Sequence, residues 1–300
     1  MTNIEKINSI TELHEMLGLG KPLHPAISLV HTRDVILSEK LFNHRYVWDF
    51  YMISLKFEDC VLHYGRQYYD FAEGSLIFTA PGQAFEATNQ PSAVSEHSWA
   101  LYFHPDLLRK SDLGTKIKSY GFFSYTFNEA LHLSEREKAK ITRCIEAIED
   151  ECQQHIDQRS QTVIVANLEL LLHYCNRFYD RQFYTRSPHQ GDVVERVVAL
   201  LLDYFNSDKG LRHGIPTVKF CAEHVNLSPN YLSDLLKKET GKNTQEHIHY
   251  HIERAKNALL ASDEPVSAIA YDLGFEHPQS FGTLFKKKVG MPPSRFRQLN

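Results

Sequence analysis

The sequence predicts a multidomain α+β chain: a small β-barrel or sandwich in front, two helices behind it, and an all-α C-terminal domain with two helix-turn-helix units. Three observations predict this. Short strand-like pieces divided by turn residues fill about residues 26–103, the signature of a compact all-β unit. Two stretches with helical apolar periodicity follow. Near the C-terminus one pattern is then written twice: Ala222, Leu227, Tyr231-Leu232, Leu235-Leu236-Lys237-Lys238 and Gly241, then Ala270, Phe275, Ser280-Phe281, Leu284-Phe285-Lys286-Lys287 and Gly290. The offset between copies is 48 before each turn and 49 after it. A length of 300 residues with 42% hydrophobic content also suits two domains better than one.

Taken in order, residues 1–25 form an arm with a short amphipathic helix over 8–17, where Ile10, Leu13, Met16 and Leu17 share a side and Ser9 or Thr11 is the cap. Residues 26–130 hold the β unit, with strands expected at 26–31, 46–57, 60–64, 67–71, 75–79 and 97–103. Glu58-Asp59, Gly65, Glu73-Gly74 and Pro81-Gly82 punctuate them. Residues 131–182 are helical. The first helix, about 134–158, opens on a Ser134-x-x-Glu137 capping box and carries Ile141, Ile145 and Ile148; the second, about 160–179, is apolar over a broad arc. That breadth points either to packing against the β unit or to a dimer contact. Residues 183–191, with Ser187-Pro188, read as a linker, and Asp192-x-x-Glu195 opens the domain 192–300, with Val193, Val197, Leu200, Leu201 and Tyr204 as a buried stripe.

The repeated unit has what a helix-turn-helix needs. Ala222 and Ala270 are small enough for two helices to cross closely. Asn226 and Gly274 tolerate the positive φ of a tight turn, and Leu227 and Phe275 follow as core anchors. Ser228-Pro229 is an N-cap followed by proline at the first helical position, and Pro278 opens the second copy. Tyr231, Leu232, Leu235 and Leu236, like Phe281, Leu284 and Phe285, face inward at helical spacing, which leaves the other face of each helix outward.

These residues closely resemble the C-terminal DNA-binding domain of the AraC/XylS family of transcription regulators. The match is densest from Val266 to Arg297, through Ile269-Ala270, Leu273-Gly274-Phe275, Ser280-Phe281, Leu284-Phe285-Lys286-Lys287, Val289-Gly290, Pro292-Pro293-Ser294 and Phe296-Arg297. The resemblance implies seven helices, with the two units joined by a long helix that here would run from Thr244 to Leu260 on a stripe of Ile248, Ile252, Ala255 and Leu259. It places base-reading positions on Asn230, Ser233 and Asp234 in the first recognition helix and on Gln279, Gly282 and Thr283 in the second. The amides Asn230 and Gln279 suit adenine; Asp234 suits only a donor such as cytosine N4, and Gly282 has no side chain with which to read a base. Lys237, Lys238, Lys242, Lys286, Lys287, Lys288, Arg295 and Arg297 follow the two helices as contacts to the DNA backbone. The resemblance further implies a cupin-like β-barrel sensor in front, a helical dimerisation region, a homodimer, promoter double-stranded DNA and an unidentified small-molecule effector, with RNA polymerase as a further partner. It implies no cofactor.

Composition agrees. The net charge of −4 hides an asymmetry: from Asp192 onward fourteen Lys and Arg face thirteen Asp and Glu, against nineteen and twenty-four before it. Nucleic acid therefore belongs to a local patch of the C-terminal part. The five cysteines, at 60, 144, 152, 175 and 221, form no CxxC pair and read as reduced thiols. The first residues have no apolar h-region and no run approaches the roughly 18 apolar residues of a membrane span, so a cytoplasmic location is expected.

The alternative function is a cupin-type metalloenzyme with an accessory DNA-binding domain. Its metal would call for a His-x-His pair with a carboxylate, yet no His-x-His occurs before residue 247, so neither catalysis nor a metal is expected. Trp48, Phe50, Tyr64, Tyr68, Trp99 and Tyr102 are the aromatics available to line a ligand pocket or fill the barrel themselves. His247, His249 and His251 supply at most two metal ligands from one helix face and read as solvated or phosphate-facing side chains, with pH-dependent DNA affinity as the alternative.

Overall fold

The computed structural model describes residues 4–36, 45–56, 74–86, 97–126, 129–155, 157–185, 187–207, 209, 213, 215–273, 275 and 277–298. It divides into a unit over Met1–Gln182 and a second over Phe183–Asn300.

The first unit is mixed. Its elements are β1 (Ile4–Ile7), α1 (Ile10–Leu17), β2 (Ile27–His31), β3 (Arg45–Trp48), β4 (Tyr51–Lys56), β5 (Ser75–Thr79), β6 (Ala84–Glu86), β7 (Trp99–Phe103), α2 (Asp112–Lys116), β8 (Leu131–His132), α3 (Glu135–Gln153) and α4 (Ser160–Thr185). Among the described residues the strands form two sheets, of order β1-β3-β6 and β2-β7-β4-β5-β8, and no closed barrel. The strands expected at 60–64 and 67–71 lie outside the described residues.

Three expectations change here. The single strand expected over 46–57 is broken at Asp49-Phe50 into β3 and β4, which belong to different sheets. The chain bends there so that Trp48 and Phe50 stack against each other inside, with ring centroids 5.8 Å apart. The N-terminal arm is built into the unit: β1 pairs in parallel with β3 from Ile4↔Arg45 to Ile7↔Trp48. Residue 131 does not begin a helical region, because Leu131–His132 is β8, paired with β5.

Local chemistry explains these elements. Ser9 caps α1 by accepting from the Glu12 N–H at 3.2 Å, and Gly18 ends it in the left-handed region at φ 68°. The buried side of α1 inserts Ile10 and Leu13 into a core with Ile7, Trp48, Phe50 and Tyr102. Each such fully buried side chain contributes roughly 1.5–3 kcal/mol. His14 on the same side donates from Nδ1 to the Gly20 carbonyl at 2.6 Å and accepts from the Ser28 hydroxyl at 2.7 Å, fixing α1 to β2. β5 is buried along its whole length and β4 along all but its last residue, the near-continuous apolar run of strands covered on both faces. On one face Phe78 meets Phe122 at 4.6 Å and Tyr179 of α4 at 6.0 Å.

The helical pair is tied to the larger sheet by polar contacts as well. Gln182, 1% exposed, accepts from the His132 N–H at 2.9 Å and donates to the Ala130 carbonyl at 3.1 Å. Arg181 donates to Glu137 at 2.9 Å and to the His132 carbonyl at 2.7 Å. On the outward side of α4, Val163 and Leu170 remain 40% and 45% exposed.

The second unit is helical: α5 (Ser187–Asn206), α6 (Val218–Val225), α7 (Pro229–Thr240), α8 (Thr244–Ala261), α9 (Val266–Asp272), α10 (Pro278–Val289) and α11 (Pro293–Arg297). Residues 187–191, expected in a linker, belong to α5. Pro188 stands at the second helical position, where its missing N–H has no intrahelical partner to lose, so the proline opens the helix. Val197, Leu201 and Tyr204 are buried while Val193 and Leu200 are half-buried. The long helix α8 buries Ile248, Ala255 and Leu259, and packs against α6, α7, α9 and α11.

Candidate nucleic-acid interface

Two copies of one local geometry build the site. In the first, Thr217 caps α6 by accepting from the Phe220 N–H, and Asn226 ends it in the left-handed region at φ 57°. The Leu227 N–H then reaches back to the Ala222 carbonyl at 3.0 Å. In the second, the Phe275 N–H closes on the Ala270 carbonyl at 3.0 Å. Gly274 lies outside the described residues. Ala222 and Ala270, 1% and 0% exposed, sit where the helices cross. Both α7 and α10 begin with proline, and both end on a left-handed glycine. Gly241 donates to Lys237 O and Gly290 to Lys286 O, each at 2.9 Å.

The starts of the two helices differ. Ser228 accepts from the Tyr231 N–H at 3.2 Å, whereas His277, at the equivalent place, makes no side-chain cap. Tyr231, Leu232, Leu235 and Leu236 are buried on α7, and Phe281, Leu284 and Phe285 on α10. Phe281 and Phe285 extend an aromatic chain from Phe275 to Phe296. The inward faces are thus spent on packing, and the residues between them are left outward.

Asn230 and Gln279, equivalent in the repeat, are both exposed in the first turn of their helices. Ser233 is half-buried and its hydroxyl donates to Thr244 Oγ1 at 3.1 Å, which ties α7 to the start of α8. Asp234 is half-buried as well. Thr283 is exposed, with its hydroxyl turned back onto the Gln279 carbonyl at 3.0 Å.

Lys237, Lys238, Lys286, Lys287 and Lys288 occupy the last turns of α7 and α10, where they also complement the helix dipole. Lys242 Nζ lies over the Tyr250 ring at 3.9 Å, and Lys288 Nζ donates to His249 Nε2 at 3.1 Å. Arg295 is exposed, while Arg297 reaches across to the Glu264 carbonyl at 2.5 Å and so ties α11 to the segment before α9.

Sequence reasoning did not foresee Tyr250 and His249 as the residues that position two of these cations. Both lie on α8, which packs against α7 and meets the last turn of α10 through the Lys288–His249 bond. Burial holds the His249 imidazole below its usual range, with Lys288 adding to the effect, and burial and Lys242 do the same for His247. His247 Nε2 lies 2.7 Å from the Thr240 hydroxyl. Among the described residues no group of three or more His, Cys, Asp or Glu is placed to hold a metal ion. The side chain of His251 lies outside them.

Of the aromatics expected to line a pocket, Tyr64 and Tyr68 lie outside the described residues. Trp99 is buried, and Trp48, Phe50 and Tyr102 pack on one another 5.7–6.0 Å apart in the core beneath α1.

With this geometry in place, residues 221–299 match the family model described as a helix-turn-helix domain. The C-terminal region is an AraC-type helix-turn-helix domain. An uncharacterized HTH-type transcriptional regulator, YobQ of Bacillus subtilis (strain 168), is 38% identical over 82 residues, covering 27% of this chain and 34% of that protein. The transcriptional regulatory protein YesN of the same organism is 30% identical over 132 residues, 43% of this chain and 34% of its own length. The arabinose operon regulatory protein of Escherichia coli (strain K12) is 34% identical over 77 residues, 25% of this chain and 26% of that protein. The chain thus spans about a third of the first two curated relatives it matches and a quarter of the third.

Proposed function

We propose that this protein is a sequence-specific DNA-binding transcription regulator whose α7 and α10 enter adjacent major-groove segments of promoter DNA. The observation that carries the reading is the duplicated turn: two helices of equal length, closed by the same backbone bonds, each present an outward amide at the first turn and lysines at the last. Asn230 and Gln279 would read adenines, and the lysines together with Arg295 would hold phosphates. In this reading the bonds that Ser233, Thr283 and Arg297 make within the protein leave them smaller shares of the contact.

The first unit is then a cupin-like sensor for a small molecule. An open groove of 650 Å³ beside β1 and α1, rimmed by exposed Glu5, Lys6, Glu12 and Glu15, lies within the usual size of small-ligand sites and supports that role. Exposed Val163 and Leu170 on α4 support dimerisation through this unit. A dimer would double the number of groove contacts and raise affinity by linkage.

Selection by the full chain from a randomised duplex pool tests the reading. Two enriched blocks about one helical turn apart are expected. Binding that depends on salt but enriches no sequence would sink it.

A further inference from the structure

On each recognition helix four positions share the outward stripe at helical spacing: Asn230, Ser233, Asp234 and Lys237 on α7, and Gln279, Gly282, Thr283 and Lys286 on α10. The second position of each stripe carries no projecting side chain. On α7 the Ser233 hydroxyl is drawn onto Thr244. On α10 Gly282 has no side chain at all.

Among the described residues nothing asks for glycine at 282. Gly241 and Gly290 have positive φ, Gly18 has positive φ and Ile36 Cβ 2.8 Å from where a Cβ would stand, and at Gly114 a Cβ would meet the Leu108 carbonyl oxygen at 2.5 Å. Gly282 has neither constraint: its φ lies outside the left-handed region and an added Cβ meets no heavy atom of the described residues within 4 Å. In the middle of a twelve-residue helix such a glycine weakens the helix relative to alanine. A glycine that the described fold does not need, on a half-exposed face between exposed Gln279 and Thr283, leaves a notch open to another molecule.

We infer that Gly282 is a close-approach position for double-stranded DNA, where a base-pair edge in the major groove comes against the backbone of α10 and brings the Gln279 amide within bonding reach. The inference rests on the DNA-binding reading above. A methyl group at 282 would hold the helix off the groove floor, while its absence contributes nothing to the fold.

The two effects have opposite signs, so Gly282→Ala in the full chain separates them. The variant is expected to raise Tm by roughly 3–6 °C. Its affinity for the duplex selected by the wild type is expected to fall about tenfold, and its affinity for a random duplex to stay within about twofold. If the wild type enriches no sequence, the DNA reading and this inference fall together. With enrichment established, equal affinity of the variant and the wild type for the selected duplex overturns the close approach alone. So does an equal loss on both duplexes, or a fall in Tm, which would show that the fold needs the glycine.

Discussion

Asn230 and Gln279 stand at the same place in two copies of one motif, so their loss should act on separate parts of a binding site. Asn230→Ala is expected to weaken binding by about 1–3 kcal/mol through one sequence block, and Gln279→Ala by a similar amount through the other. Kd values on duplexes with each block scrambled check this, because a scrambled block should erase the penalty of its own reader only. His249 gives a residue-scale pH dependence. Its imidazole is held low by burial first, with Lys288 and Lys256 against it and Glu253 for it, so the folded chain binds fewer protons than the unfolded one just below pH 6.5. His247 is depressed in the same direction. Stability should therefore be fully present above about pH 6.5 and decline as the pH falls below it. Urea midpoints at pH 7.5 and 5.5 measure the slope, which should flatten in His249→Gln.

At the scale of the element, each recognition helix depends on a turn that fixes where it starts. Asn226 holds a left-handed conformation at φ 57° that alanine adopts only with strain, and Ser228 caps the helix that follows. Asn226→Ala and Ser228→Ala should each cost roughly 1 kcal/mol, and chemical denaturation of the single variants checks it. In the first unit α1 is a structural element and not a loose arm. Leu13, fully buried, should cost about 2–5 kcal/mol on replacement by alanine, read from the unfolding of that unit.

For the whole molecule, the salt dependence of binding reports how many cations touch phosphate. Eight were legible in the sequence, yet Arg297 is engaged with Glu264 and Lys242 rests on Tyr250. If about half of the eight reach phosphates, log affinity should fall against log salt with a slope of about −3 to −4 per monomer. A slope near zero on the selected duplex would remove the phosphate contacts. Dimerisation belongs to the same scale. Leu170→Asp is expected to shift sedimentation toward the monomer and to lower affinity for a two-block duplex, because the exposed apolar stripe of α4 would then carry a charge.

The sequence by itself determined the C-terminal region, down to the residues of the turn. Ala222, Asn226 and Ser228, like Ala270 in the second copy, act through bonds within a few positions of themselves, so spacing alone specifies them. The start of α5 at Ser187-Pro188 is not legible in the sequence, since a Ser-Pro pair reads equally as a linker and as the opening of a helix. Only the tertiary structure decided the front unit. Whether β1 pairs with β3, whether residues 46–57 form one strand or two, and whether Trp48, Phe50 and Tyr102 line a pocket or fill a core depend on partners tens of residues away, which strand periodicity does not name. The same holds for Lys288, whose partner His249 is 39 positions away, whereas Ser233 and Lys242 meet residues of α8 nearer in the chain. Their residue types announce a charge or a hydroxyl, but contacts with the long helix α8 decide which of them stay at the surface for another molecule.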